Sequence, residues 1–225
     1  MKLAIFDFDG TLFPKDTLPF LLRQWRAQKL SKRRLIAAYN AMGWLYIRYK
    51  LGLFGRLSRE MLRRKAMQRF ILIFSGMTKK QLADFFKRSA HLIVPELRPA
   101  VLKEVAKAHK SGFHTVLLSG GFAKLMDYVG ASLGMDTVIG TELHFQNSIV
   151  DTARPLDIVC GDDKAVRLRD VFKDADVDWE ASCAYADSLS DLSLLKLVGH
   201  PVAVNPDDGL KKELQKTGWR ILDLS

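Results

Sequence analysis

The sequence predicts an α/β fold: a doubly wound parallel sheet with a helical segment inserted after its first strand. Three observations predict it. From residue 95 onward, short apolar runs alternate with amphipathic segments. An isolated apolar run at 3–8, stopped by Gly10, reads as a buried parallel strand of the same sheet. Between them, 15–94 reads as helical and holds 19 Lys and Arg against three acids, whereas the rest has 16 basic and 22 acidic residues. The net charge of +10 therefore arises in the insertion. Such asymmetry predicts two units, a core of 1–14 with 95–225 and a basic helical cap of 15–94.

The elements follow in order. Leu18, Leu21, Leu22 and Trp25 recur at helical spacing over 18–30. Ser31 is an N-cap candidate for a helix over 32–51, which Gly52 and Gly55 break. A third helix is expected over 57–74, with Ser58 as its N-cap candidate, and a fourth over 79–91 behind Thr78. Trp25, Tyr39, Trp44, Tyr46 and Tyr49 are expected to pack in the core. Pro95 and Pro99 mark the exit. Helix 99–111 leads to strand 115–118, which ends in Ser119-Gly120-Gly121. Helix 122–133 is stopped by Gly134, and short β segments at 137–139 and 142–150 follow, the latter turning at Asn147-Ser148. Helix 163–172, strand 182–186, helix 190–198, strand 201–204, helix 207–216 and strand 219–222 complete the alternation.

Composition narrows the function classes. Two cysteines, Cys160 and Cys183, suggest neither a disulfide framework nor a zinc site, and predict a reducing compartment. Asp7 and Asp9 stand where a signal peptide would have its apolar core. The longest uncharged apolar stretch, 35–47, has thirteen residues, short of a membrane span. A cytoplasmic location is expected. The five histidines share no ligand spacing and are expected to be structural or exposed.

Three strand ends carry polar groups: Asp7 and Asp9, then Ser119-Gly120, then Asp187 with Asp191. Parallel strands place their carboxyl ends on one edge, where open α/β sheets bind ligands. The loop 161–164, opening a helix, adds Lys164 to that edge. Read singly, Lys164 is a solvated lysine, Ser119 a turn residue, and Asp162 and Asp163 are acids suited to a helix N-terminus. Together, carboxylates, a hydroxyl and a lysine are what phosphoryl transfer with Mg²⁺ requires.

At this point the chain resembles the haloacid dehalogenase superfamily. The stretches Asp7-Phe-Asp9-Gly10-Thr11, Ser119-Gly120, Lys164 and Asp187-Ser-Leu-Ser-Asp191 stand in that family's order. The segment from Tyr185 to Leu222 looks like its phosphoserine-phosphatase-like branch, subfamily IB, and the insertion matches that branch's cap. The resemblance implies a Rossmann-like (Rossmannoid) core with a C1-type cap, and a Mg²⁺-dependent phosphomonoester hydrolase. It implies that Asp7 attacks phosphorus and forms an aspartyl-phosphate, while Asp9 acts as acid and then base. Mg²⁺ would lie between the Asp7 carboxylate, the Asp9 backbone carbonyl and Asp187. Asp191 would support that metal site from behind, through water. Thr11, Ser119 and the Gly120 N–H would bind the phosphoryl oxygens, and Lys164 would neutralise charge between phosphate and Asp7. Phosphoserine phosphatases carry a Glu nine residues after the nucleophile that binds the substrate's amino group. Here Asp16 takes that place and is the candidate for substrate specificity.

The expected substrate is a small phosphorylated metabolite, with phosphoserine not favoured. The strongly basic cap suggests an anionic partner. The alternatives are a lipid phosphate met at the inner face of a membrane, through Trp44 to Lys50, and a mainly non-catalytic protein that binds anionic surfaces. Nucleic acid is disfavoured, since no binding motif accompanies the charge. No partner protein is evident.

Overall fold

The computed structural model describes residues 1–51 and 59–222. Six parallel strands form one sheet in the order β3-β2-β1-β6-β7-β8, with ranges β1 Leu3–Phe6, β2 His114–Phe122, β3 Thr137–Thr141, β6 Cys183–Ala186, β7 His200–Val204 and β8 Arg220–Leu222. The alternation along β1 explains why both faces are covered. Leu3 and Ile5 pack with Leu168, Leu194, Leu195, Leu210 and Leu214 of helices α7 (Asp163–Val171), α8 (Leu192–Leu195) and α9 (Asp208–Thr217). Ala4 and Phe6 face the other way, toward Val101 and Val105 of α5 (Pro99–Lys110) and Leu125, Met126 and Val129 of α6 (Ala123–Leu133). The turn at Asn147-Ser148 joins a small antiparallel hairpin, β4 (Phe145–Gln146) with β5 (Ile149–Val150); both turn residues have positive φ, 49° and 63°.

Between β1 and α5 lie α1 (Thr17–Ala27), α2 (Lys32–Lys50), α3 (Arg59–Phe70) and α4 (Lys79–Ile93), with 3₁₀ turns at Ile71–Phe74 and Val94–Glu96. The Ser31 hydroxyl accepts from Arg34 N, and Thr78 forms a full capping box with Gln81. Ser58, the other cap candidate, lies outside the described residues. The helices share the sheet's hydrophobic core. Rings of Phe70, Phe74 and Phe86 lie 5.8, 5.5 and 5.5 Å from Phe122 at the end of β2.

Four expectations need correction. The first strand ends at Phe6, because the Phe8 carbonyl accepts from Thr11 N and Phe13 N and curls the chain into a turn. β2 runs on through Ser119-Gly120-Gly121 to Phe122, with an irregular register against β3 between Leu118 and Phe122. The helix expected over 190–198 is a 3₁₀ turn, Leu189–Asp191, followed by the short α8. Of the aromatic residues assigned to the core, Trp25 is buried, but Tyr39 and Trp44 are 51% and 63% exposed on the outer side of α2.

Candidate active site

The site begins where β1 stops. Asp7 N donates to Tyr185 O at 2.9 Å, one more rung beyond the strand, and this holds Asp7 between β2 and β6. The turn that follows is closed by Gly10 N to Phe13 O at 2.8 Å and anchored by buried Phe8, Leu12 and Phe13. Gly10 has φ +82°, and a Cβ there would stand 2.1 Å from Asp187 Oδ2, so the turn packs directly under the β6 carboxylate.

Asp7 and Asp9 consequently occupy different environments, not one strand face. Lys164 Nζ lies 2.6 Å from Asp7 Oδ1 and 2.6 Å from Asp191 Oδ1. Thr11 Oγ1 donates to Asp7 Oδ2 at 3.3 Å, and Ser188 Oγ donates to Asp191 Oδ2 at 3.1 Å. The Asp9 carboxylate instead turns to the start of α1, where Oδ1 accepts from Thr17 N at 3.0 Å and from the Thr17 hydroxyl.

Burial pushes the Asp7 carboxyl up, aided by the charge of Asp191 and opposed by Lys164. Burial also raises Asp9 to about 7, with the charges of Asp7 and Asp16 adding and the Thr17 bonds opposing. Asp187 is pushed up to about 8 by burial and by Asp7 and Asp191. Burial alone would lower Lys164, but the carboxylates of Asp191 and Asp7 overcome it and raise the ammonium's pKa.

Oxygens of Asp7, Asp187 and Asp191 lie within 4.8 Å of one another. Fully ionised, the three carboxylates outnumber the one buried lysine and leave net negative charge, and their mutual repulsion adds to burial in pushing Asp7 and Asp187 up. Hard oxygen donors around that charge fit a hard divalent cation such as Mg²⁺. Asp191, expected behind the metal site, has an oxygen within 4.8 Å of oxygens of both Asp7 and Asp187.

A cleft of about 320 Å³ opens above these groups. Its floor includes Asp7, Asp9, Ser119, Gly120, Lys164, Asp187 and Asp191; its roof includes Leu18, Pro19, Arg63 and Met67 from the helical insertion. Ser119 is buried and its Oγ accepts from Gly121 N at 3.0 Å. A Cβ at Gly120 would come 3.0 Å from Val159 O, so the backbone passes close there. Asp16 is exposed and sits on the cleft wall. Thr11 does not line the cleft; it is fully buried beneath Asp7. No histidine lines the cleft; His109, His114 and His144 bond Thr115, Thr137 and the Pro155 carbonyl. Burial pushes the Cys183 thiol up to about 11, away from thiolate chemistry.

Sequence reasoning missed the side chains that come from α3. Arg63 Nη1 donates to Ser190 Oγ at 3.3 Å across the cleft. Arg64 donates to the carbonyls of Ile158 at 3.1 Å and Cys160 at 3.3 Å and pairs with Asp163. Among nineteen basic residues of the insertion, no sequence signal singles these two out.

The family profile for haloacid dehalogenase-like hydrolases matches residues 4–196. The chain belongs to this family. Its relatives include a histidinol-phosphatase of Neisseria meningitidis, 29% identical over 99% of this chain and 98% of its own, and a probable phosphatase of Mycobacterium tuberculosis, 26% identical over 99% and 75%. The haloacid dehalogenase-like fold is shared with a protein of unknown function from Bordetella pertussis (TM-score 0.78, 24% identity, 100% of this chain and 99% of that one). It is shared also with a phosphoserine phosphatase solved as a phospho-aspartyl intermediate analogue (TM-score 0.61, 18% identity, 98% and 91%).

Proposed function

We propose that this protein is a phosphomonoester hydrolase in which Asp7 is the nucleophile and Asp9 the general acid and base. The observation that carries this reading is the unequal setting of the two carboxylates. Asp7 lies on the cleft floor against Lys164, and Asp9, pushed up to about 7, is held apart from that cluster by Thr17. Paired carboxylates whose environments divide them suit two roles in one reaction. Asp7 attacks phosphorus and the leaving oxygen takes the proton held by Asp9. Water then attacks the aspartyl-phosphate, giving its proton to Asp9 and releasing phosphate and free Asp7. Lys164 holds the Asp7 carboxylate in place and offers positive charge to the phosphoryl oxygens, with Ser119 and the Gly120 N–H beside them. Asp7, Asp187 and the Asp9 carbonyl, with Asp191 close by, would hold Mg²⁺, which supplies charge neutralisation for phosphate beside a carboxylate nucleophile.

The names histidinol-phosphatase and phosphoserine phosphatase among relatives support a small phosphomonoester as substrate. Asp16 and Arg63 on the cleft wall are chemistry for a leaving group that carries an ammonium and an anionic group.

The test is phosphate release from a small aryl phosphate with and without Mg²⁺, for wild type, Asp7→Asn and Asp9→Asn. Release should require the metal and vanish in Asp7→Asn, and Asp9→Asn should lose roughly 10²–10⁴-fold. Metal-independent release, or release that survives Asp7→Asn, would overturn the mechanism. A panel of phosphorylated metabolites then identifies the leaving group.

A further inference from the structure

Helix α2 has two faces. Ala38 and Leu45 are buried and Leu35 and Met42 pack partly against the core. On the outer side Ile36, Trp44, Ile47 and Leu51 are 58%, 63%, 49% and 67% exposed. At 3.6 residues per turn these four fall within an arc of about 80° and form a stripe roughly 22 Å long, with Tyr39 at its margin. The surrounding charge is of one sign. Residues 17–59 contain ten Lys and Arg and no Asp or Glu, and Arg23, Arg26, Lys29, Lys32 and Arg33 are exposed. An apolar stripe this long on a surface helix marks an interaction site.

We infer that the outer face of α2 lies on an anionic lipid bilayer surface. The stripe would enter the boundary between headgroups and acyl chains, with Trp44 and Tyr39 at headgroup depth, and the lysines and arginines would meet lipid phosphates. The charge decides among occupants. A second copy would bring the same positive insertion and repel. Nucleic acid would engage the basic residues but has no apolar surface to cover Ile36, Ile47 and Leu51. A bilayer with anionic headgroups meets both demands. The contact is peripheral, since no helix of the described residues is long and apolar enough to cross a membrane. The inference does not depend on the reaction assigned to the cleft.

The experiment is co-sedimentation with vesicles of phosphatidylcholine containing about one third phosphatidylglycerol, beside pure phosphatidylcholine vesicles. Binding should occur with the anionic vesicles at low salt and weaken as salt rises. Ile36→Ser/Ile47→Ser should lower partitioning at least tenfold with an unchanged thermal melt, because both side chains face solvent in the free protein. The fluorescence blue shift on binding should disappear in Trp44→Phe, though Trp25, Trp179 and Trp219 remain. Absence of binding at low salt, equal binding to neutral vesicles, or full binding by the double serine variant would each overturn the inference. So would a concentration-dependent dimer in sedimentation velocity that the same variant abolishes.

Discussion

One contact that ties the helical insertion to the core loops, beside those of Arg63 with Ser190 and Gln68 with Leu156, is the Arg64 guanidinium, and its removal should favour opening of the cleft. Arg64→Met keeps the aliphatic stem and deletes the fork. The ion pair with Asp163 joins side chains that are 32% and 49% exposed. An exposed pair of this kind contributes at most about 1 kcal/mol. The two bonds to the Ile158 and Cys160 carbonyls are charge-assisted and partly buried, and contribute roughly 1 kcal/mol each. The loss is then about 2 kcal/mol in holding α3 over the cleft, most of it from the carbonyl contacts. At 1.4 kcal/mol per decade, the closed arrangement falls roughly 30-fold relative to an open one. Steady-state hydrolysis of an aryl phosphate should show kcat/KM lower by roughly 10–50-fold, with a thermal midpoint little changed. Asp163→Asn should cost much less, because it leaves the carbonyl contacts in place. Activity of Arg64→Met within twofold of wild type, or an Asp163→Asn defect of the same size, would refute this reasoning.

Gly10→Ala should both destabilise and inactivate: the left-handed backbone at φ +82° costs about 1–2 kcal/mol for a residue with a Cβ, and that Cβ would displace Asp187 from 2.1 Å away. Gly112→Ala is the control in a melt and a rate assay, because at φ +66° it bears similar strain with nothing within 4 Å, and should keep full activity. Glu104 tests the sheet's distal edge. Its buried carboxylate accepts from Tyr185 Oη at 3.0 Å, Arg220 Nη1 at 3.1 Å and Lys107 Nζ at 2.6 Å. Burial alone would raise this carboxyl, yet these bonds hold it down at about 2 against an ordinary 4.5. The folded pKa is depressed, so the stabilisation is fully present above pH 4.5 and lost as pH falls toward 2. With Arg220 and Lys107 half-exposed or more, Glu104→Gln should cost about 2 kcal/mol at neutral pH. Denaturant titrations should show that gap closing near pH 2. A gap that is constant with pH would exclude an ionised Glu104 as its source.

What the sequence disclosed about the site follows from how the fold assembles it. Asp7, Ser119 and the Asp187–Asp191 turn are separated by long stretches of chain, yet parallel pairing of β1 with β2 and β6 puts the ends of those strands on one edge. Any reading that recognises the strands finds these residues, and finds Lys164 at the first turn of the helix on the same edge. The reading named residues that the structure brings to one edge, past a local error. Asp7 and Asp9 do not share a strand face, and the tight turn at Phe8 divides them. Thr11, expected to touch phosphate, lies instead beneath Asp7, because the same turn folds its hydroxyl under the carboxylate. The cleft's roof was not legible, for a different reason. Whether Arg63 and Arg64 face the cleft depends on the rotation of α3 about its axis, and residues 59–70 are too charged for their own apolar pattern to fix it. The neighbouring chain sets it: Phe70 and Phe74 pack on Phe122, which the extended, irregular end of β2 delivers to them. The stretch that carries Ser119 and Gly120 to the cleft floor is therefore the one that anchors the cleft's roof. A substitution at Phe122 should disturb how α3 sits over the cleft as well as the packing of the sheet.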